Sequence, residues 1–263
     1  MTDAANLFTD GKAYERFMGR WSKIVGQSFL AWLDMPPGLR WLDSGCGNGA
    51  FTEELIAHAA PASVVAIDPS EGQLSFARTR AGSTMAQFQL GDAQSLPFPD
   101  DSFDVAVMAL VIAFLPAPAK AVADMTRVVR PGGCVATYMW DVEAGGSPTS
   151  PMFSALTSLG MTPSALPNAP ASRLEAMRGF WQAAGLQSVE TTVIRIAVSF
   201  DNVDDFWNTT VSSGGPAGKM VMAMPAGSQQ QLRARLGEQL HPGADGRITY
   251  EAFANAVKGR VPL

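Results

Sequence analysis

The sequence predicts an α/β fold built on a mostly parallel sheet. Three observations point to it: β-rich runs alternate with helical patterns from Leu39 to Trp140, several of those runs are apolar throughout, and a glycine-rich turn joins the first run to the first helix. With 263 residues, 47% hydrophobic and 16% charged, the chain has the size of one enlarged domain, or of one domain with a cap, and enough apolar surface to offset its conformational entropy.

Strands are predicted at Leu39 to Asp43, Ser63 to Asp68, Ala86 to Gly91, Phe103 to Ala109 and Cys134 to Trp140. The first crossover helix carries Phe51, Leu55 and Ala59 at spacings of four, with Glu53 and Glu54 near its positive end. The second opens with Ser70-Glu71-Gly72-Gln73, a Ser-x-x-Gln capping box. A later helix shows Val122, Met125, Val128 and Val129 on one face and is expected to end at Arg130-Pro131-Gly132-Gly133, because proline cannot continue a helix and paired glycines turn the chain. From Asp141 to Ala171 the composition shifts to Gly, Pro and Ser around a short helix near Met152 to Leu159. A helix from Arg173 to Ala184, a β-branched run from Val189 to Phe200 and a last strand from Arg247 to Val261 complete seven strands. Residues 201–246 interrupt the last two, with Phe206, Trp207, Met220, Met222 and Met224 and a polar helix near Gln229 to Leu240.

The net charge of −5 disfavours nucleic acid and anionic membranes as partners, since both reward a surplus of Lys and Arg. The first residues have neither the charged nor the continuous apolar region of a secretory signal, so a cytoplasmic location is expected. The longest apolar run, Val105 to Leu115, is half of what a membrane-spanning helix needs and reads as a buried strand. Cys46 and Cys134, with His58 and His241, predict neither a disulfide framework nor a metal site.

The segment Trp41-Leu42-Asp43-Ser44-Gly45-Cys46-Gly47-Asn48-Gly49 lies at a strand-to-helix junction, where alternating glycines let backbone approach a ligand and the helix aims free N–H groups at it. A tight turn without a ligand has the same signature, and Gly45, Gly47 and Ala50 also satisfy a loose dinucleotide-binding pattern. Acidic residues at successive strand ends narrow the choice. Asp43, Asp68 and Asp92 stand where open α/β sheets bind ligands: Asp68 suits the hydroxyls of a ribose, Asp92 the exocyclic amine of adenine, and Asp43 an ammonium or sulfonium charge. Each can instead cap a helix or solvate a loop.

LDSGCGNG, IDPS, GDAQSLPFPDDSFD and RVVRPGG appear in order over about residues 39–135, and together they resemble the motifs of class I S-adenosylmethionine (SAM)-dependent methyltransferases, in the subgroup similar to ubiquinone/menaquinone-biosynthesis enzymes. The resemblance implies a Rossmann-like seven-stranded sheet with helices on both faces, an antiparallel last strand and a small helical cap. It implies an N-terminal helical lid at 1–37, a cofactor-binding core at 38–140, the rest of the sheet and its helices at 141–200 and 247–263, and a cap at 201–246. It further implies SAM as cofactor, with S-adenosylhomocysteine as product, and a small-molecule substrate. Gly45, Cys46 and Gly47 would run along the methionine part, Asp43 would hold its amino end, Asp68 the ribose with Pro69 and Ser70 lining the adenosine, and Asp92 and Ala93 the adenine edge. Leu110 would lie near the methyl group, and Tyr14 or Arg20 would touch the methionine end. Many relatives carry histidine after the fourth strand, where this chain has Ala113-Phe114.

Methyl transfer from a sulfonium has an activated leaving group, so positioning and water exclusion are the main tasks and no catalytic residue is assigned. Asp141 is a candidate proton acceptor by position, and Phe114, Trp140 and Trp207 are candidates for an apolar substrate wall, although such side chains also fill cores. A nicotinamide-dependent oxidoreductase is the competing enzyme reading. Against it, none of Tyr14, Tyr138 and Tyr250 is followed four residues later by lysine, and Asp43 and Asp92 would be unexplained. A module that binds SAM without turnover has the same sequence signature.

Overall fold

The computed structural model of the chain describes residues 15–80, 82–163, 165–211 and 216–263. Its strands are β1 (Arg40–Ser44), β2 (Ser63–Asp68), β3 (Ala86–Leu90), β4 (Phe103–Ala109), β5 (Val129–Trp140), β6 (Gln187–Phe200) and β7 (Ile248–Arg260). They form one sheet in the order β3-β2-β1-β4-β5-β7-β6. The pairs from β3 to β5 are parallel, while β7 runs antiparallel to both β5 and β6. This is the expected Rossmann-like sheet with its antiparallel last strand. From β1 the chain runs outward through β2 to β3 and then returns to β4 on the other side of β1, so the sheet's switch point, where such folds open a crevice, lies between β1 and β4.

Helices cover both faces. Helix α1 (Arg20–Leu33) buries Trp21, Val25, Phe29 and Leu33, one per turn. Phe29 meets Tyr138 of β5 at 4.6 Å and Phe51 at 6.0 Å between ring centres. Thus α1 packs onto α2 (Ala50–Ala59), the helix that follows the glycine turn. Helix α3 (Glu71–Ala77) is capped by Ser70, whose hydroxyl oxygen accepts from the Gln73 N–H, one half of the expected box. Helix α4 (Pro118–Val128) begins with proline, which loses no helical bond there, and buries Val122, Met125 and Val128. The remaining helices are α5 (Ser150–Ser158), α6 (Leu174–Ala183), α7 (Val203–Val211), α8 (Pro216–Met222) and α9 (Ala226–Gln239).

One boundary departs from expectation. The Arg130-Pro131-Gly132-Gly133 run does not separate helix from strand; β5 begins at Val129 and includes it. Its backbone pairs with the end of the chain, Gly132 donating to the Val261 carbonyl and Val261 to the Gly133 carbonyl. Asp104, opposite a register shift, accepts from the guanidinium groups of both Arg40 and Arg130. Two arginines hold that carboxyl well below the usual range although its own desolvation opposes them.

Candidate functional site

The carboxyl ends of β1, β2 and β4 and the loop after β3 border a cavity of about 1480 Å³. A single small-molecule site takes roughly 300–1,000 Å³, so this space is larger than one such site. One half is lined by Gly45, Cys46, Gly47, Asp68, Pro69, Ser70, Asp92, Ala93 and Leu110. These are nine of the twelve residues expected to hold the cofactor. Phe114 and Trp140 border it as well.

The turn after β1 is shaped by its own backbone. Gly45 has φ +82°, and a Cβ there would come 2.7 Å from Val111 Cγ2, so the position excludes a side chain twice. Gly45 and Cys46 both donate to the Ile67 carbonyl, each at 2.8 Å, which ties the turn to β2. Gly47 has φ +52° and nothing within 4 Å of a Cβ. Its missing side chain leaves open space beside the cavity. Asp68 accepts from the Gly47 N–H at one oxygen and from the Ser70 N–H at the other, each at 2.9 Å. Each oxygen keeps a second lone pair for a ligand. Burial raises the pKa of Asp68, and the two backbone donors oppose the rise.

Asp43 lies behind this turn, wholly buried, and does not border the cavity. Its Oδ2 accepts from the Thr52 hydroxyl at 2.6 Å, while Oδ1 has no hydrogen-bond partner among the described residues. Burial pushes its pKa up to about 7, the Thr52 bond lowers it, and the charge of Asp68 adds to the rise. Asp92, exposed at the cavity rim, accepts from the Gln94 N–H at 2.9 Å. Arg127 holds the loop behind it by donating to the Leu96 and Phe98 carbonyls and to Asp100. Leu110 has φ +60°, a costly backbone for a branched side chain, and its N–H donates to the Tyr138 carbonyl at 2.9 Å.

Three other expected positions, Arg20, Asp141 and Trp207, do not border the cavity. Tyr14 lies outside the described residues. Arg20 does not border the cavity; its guanidinium sits 4.0 Å above Trp21 and 4.8 Å above Phe200. Asp141 is also away from the wall, because its carboxylate accepts from Asn255 Nδ2 at 2.8 Å and from the Ala144 N–H at 3.1 Å and so anchors the loop after β5. Trp207 packs under Arg233 at 5.9 Å rather than at the cavity.

The sequence reasoning missed other wall residues: Met18 and Ser22 before and in α1, Phe51 on α2, Tyr138 on β5, Glu143 and Tyr250. Phe51 had a signal, the apolar spacing of α2, but core and ligand faces share that spacing. Glu143 stands two residues beyond the expected acid. The 141–172 connection supplies much of the second half of the cavity, whereas 201–246 adds Ala217, Gln239 and Leu240.

Residues 42–137 match a family model described as a methyltransferase domain. The chain is 36% identical over 115 residues to a malonyl-[acyl-carrier protein] O-methyltransferase of Methylococcus capsulatus, covering 43% of this chain and 42% of that protein. It is 34% identical over 120 residues to a demethylmenaquinone methyltransferase of Symbiobacterium thermophilum, covering 44% and 47% respectively. The aligned stretch thus spans less than half of either relative. Over most of its length the chain has the fold of the YcgJ protein from Bacillus subtilis, with a TM-score of 0.62, 18% identity, and 91% of this chain and 99% of that one covered.

Proposed function

We propose, from the premise that residues 42–137 are a domain of the methyltransferase family, that the chain transfers a methyl group from SAM to a small-molecule acceptor. The observation that carries the reading is the convergence of Asp68, Asp92 and the open face of Gly47 on one wall of the cavity. These residues fit the cofactor. Asp68 takes the ribose hydroxyls on its remaining lone pairs, with Pro69 and Ser70 beside the adenosine. Asp92 and Ala93 meet the adenine edge, and Gly45, Cys46 and Gly47 run along the methionine part. Asp43, wholly buried behind the turn, supports it through its bond to Thr52.

SAM, when bound, supplies a methyl group on a sulfonium, a leaving group that needs no protonation. The chain's own contribution is positional: Leu110, at the end of β4, borders the cavity beside the cofactor residues, and the walls from 141–172 hold the acceptor and exclude water. Met18 and Ser22 from the N-terminal side, and Ala217, Gln239 and Leu240 from 201–246, complete these walls. A cytoplasmic setting belongs to the same reading: the two cysteines are unbridged, and no helix among the described residues is long and apolar enough to cross a membrane.

Ultraviolet photolabelling with methyl-tritiated SAM tests the assignment. Label is expected in peptides containing residues 45–51, 68–73 or 92–96, with protection by excess S-adenosylhomocysteine and none by NAD. Protection by NAD alone would transfer the site to an oxidoreductase.

A further inference from the structure

Resting on that reading, the acceptor half of the cavity carries a statement about charge. Phe114, Trp140, Phe153, Leu166 and Leu240 give it apolar walls. Among the described residues that border the cavity, none is Lys, Arg or His. The charged side chain of this half is Glu143, which pairs with Arg173; that arginine does not border the cavity, and its side chain is 62% exposed. Asp68 and Asp92 border the other half. An anion in the acceptor half would lose its hydration, meet no Lys, Arg or His among the described wall residues and face Glu143. A neutral molecule meets no such cost. Hydroxyl groups remain to orient it: Tyr250 donates to the Pro148 carbonyl and keeps its oxygen's lone pairs, and Ser150 and Ser154 stand on the same wall.

We infer that the acceptor is an uncharged, largely apolar molecule, and that compounds bearing a carboxylate, phosphate or sulfonate are excluded from this site. This narrows the substrate by chemistry. It sets the chain apart from enzymes whose acceptor presents an anionic group to the protein.

Two dyes with one ring skeleton test it: N-phenyl-1-naphthylamine, which is neutral, and 8-anilino-1-naphthalenesulfonate, which adds a sulfonate. Each is titrated by fluorescence into the whole chain, with and without S-adenosylhomocysteine. The neutral dye is expected to bind at least about tenfold more tightly, given the cost of burying an unpaired charge. Ser154→Trp, which fills the wall, is expected to remove its signal, and Ser154→Lys to raise the affinity of the sulfonate. Equal or tighter binding of the sulfonate to the native chain overturns the inference. So does absence of neutral-dye binding, or binding that Ser154→Trp leaves intact. Affinity for S-adenosylhomocysteine, measured on the same samples, reports separately on the cofactor reading.

Discussion

Asp68 occupies a position that local hydrogen bonding alone would explain, since both its oxygens already accept from backbone N–H groups. Its placement on the cavity wall distinguishes the two roles. Asp68→Ala is expected to weaken binding of S-adenosylhomocysteine by about 1.5–3 kcal/mol, the scale of charge-assisted hydrogen bonds. Gly47→Val is expected to be worse, because its branches would enter the space that a Cβ finds open and its φ is +52°. Calorimetric titration checks both, and near-native affinity in the two variants would remove the site.

Asp43 makes a different prediction, about pH. Its folded pKa of about 7 lies above its ordinary 3.8, so between those values the folded chain keeps a proton that the unfolded chain has lost. The stability from that proton is complete below 3.8 and is lost as pH rises toward 7. In ligand-free protein, Asp43→Asn is therefore expected to gain melting temperature relative to native as pH rises through this window. An unchanged difference between the two melting curves would show that Asp43 is not held protonated. The acid was legible in the sequence as a strand-end residue. Its depth was not, because it depends on α2 covering the strand and on Thr52 reaching back across nine residues.

At the scale of elements, periodicity located what local physics decides. Strand β4 falls at its expected limits and α3 carries its expected cap, since both depend on neighbouring residues. The start of β5 was misplaced because Arg130 and Gly133 are held by Asp104 and Val261, partners remote in sequence. The same limit moved Asp141. Asn255, 2% exposed on β7, donates to Asp141 and to the Ser172 carbonyl, so the last strand in the sequence fixes the loop after β5. Asn255→Ala is expected to destabilise the fold by about 1–3 kcal/mol, leaving buried acceptors unpaired, while affinity for S-adenosylhomocysteine is retained. Urea denaturation beside calorimetry checks the pair of outcomes. For the cap, Phe206, Val221, Leu232 and Leu236 are wholly buried, so its apolar residues also complete the core. Replacing 201–246 with a Gly/Ser linker is thus expected to lower stability as well as to open the acceptor half. Native-like melting after the replacement would contradict that double role.

Across the whole molecule, the motifs before residue 137 account for nine residues that reach the cavity wall, because strand-end acids and glycine turns act close to where they are encoded. The rest of the cavity wall is assembled from α1, the 141–172 connection, 201–246 and β7, segments with no shared local signature, and only the folded arrangement brings them together. The central claim is that this cavity is built for SAM. Thermal melting with S-adenosylhomocysteine, NAD and NADP tests it most directly, since a ligand that binds only the native state raises its melting temperature. S-adenosylhomocysteine is expected to raise it while neither nicotinamide cofactor does; a shift with NAD or NADP and none with S-adenosylhomocysteine would contradict the account.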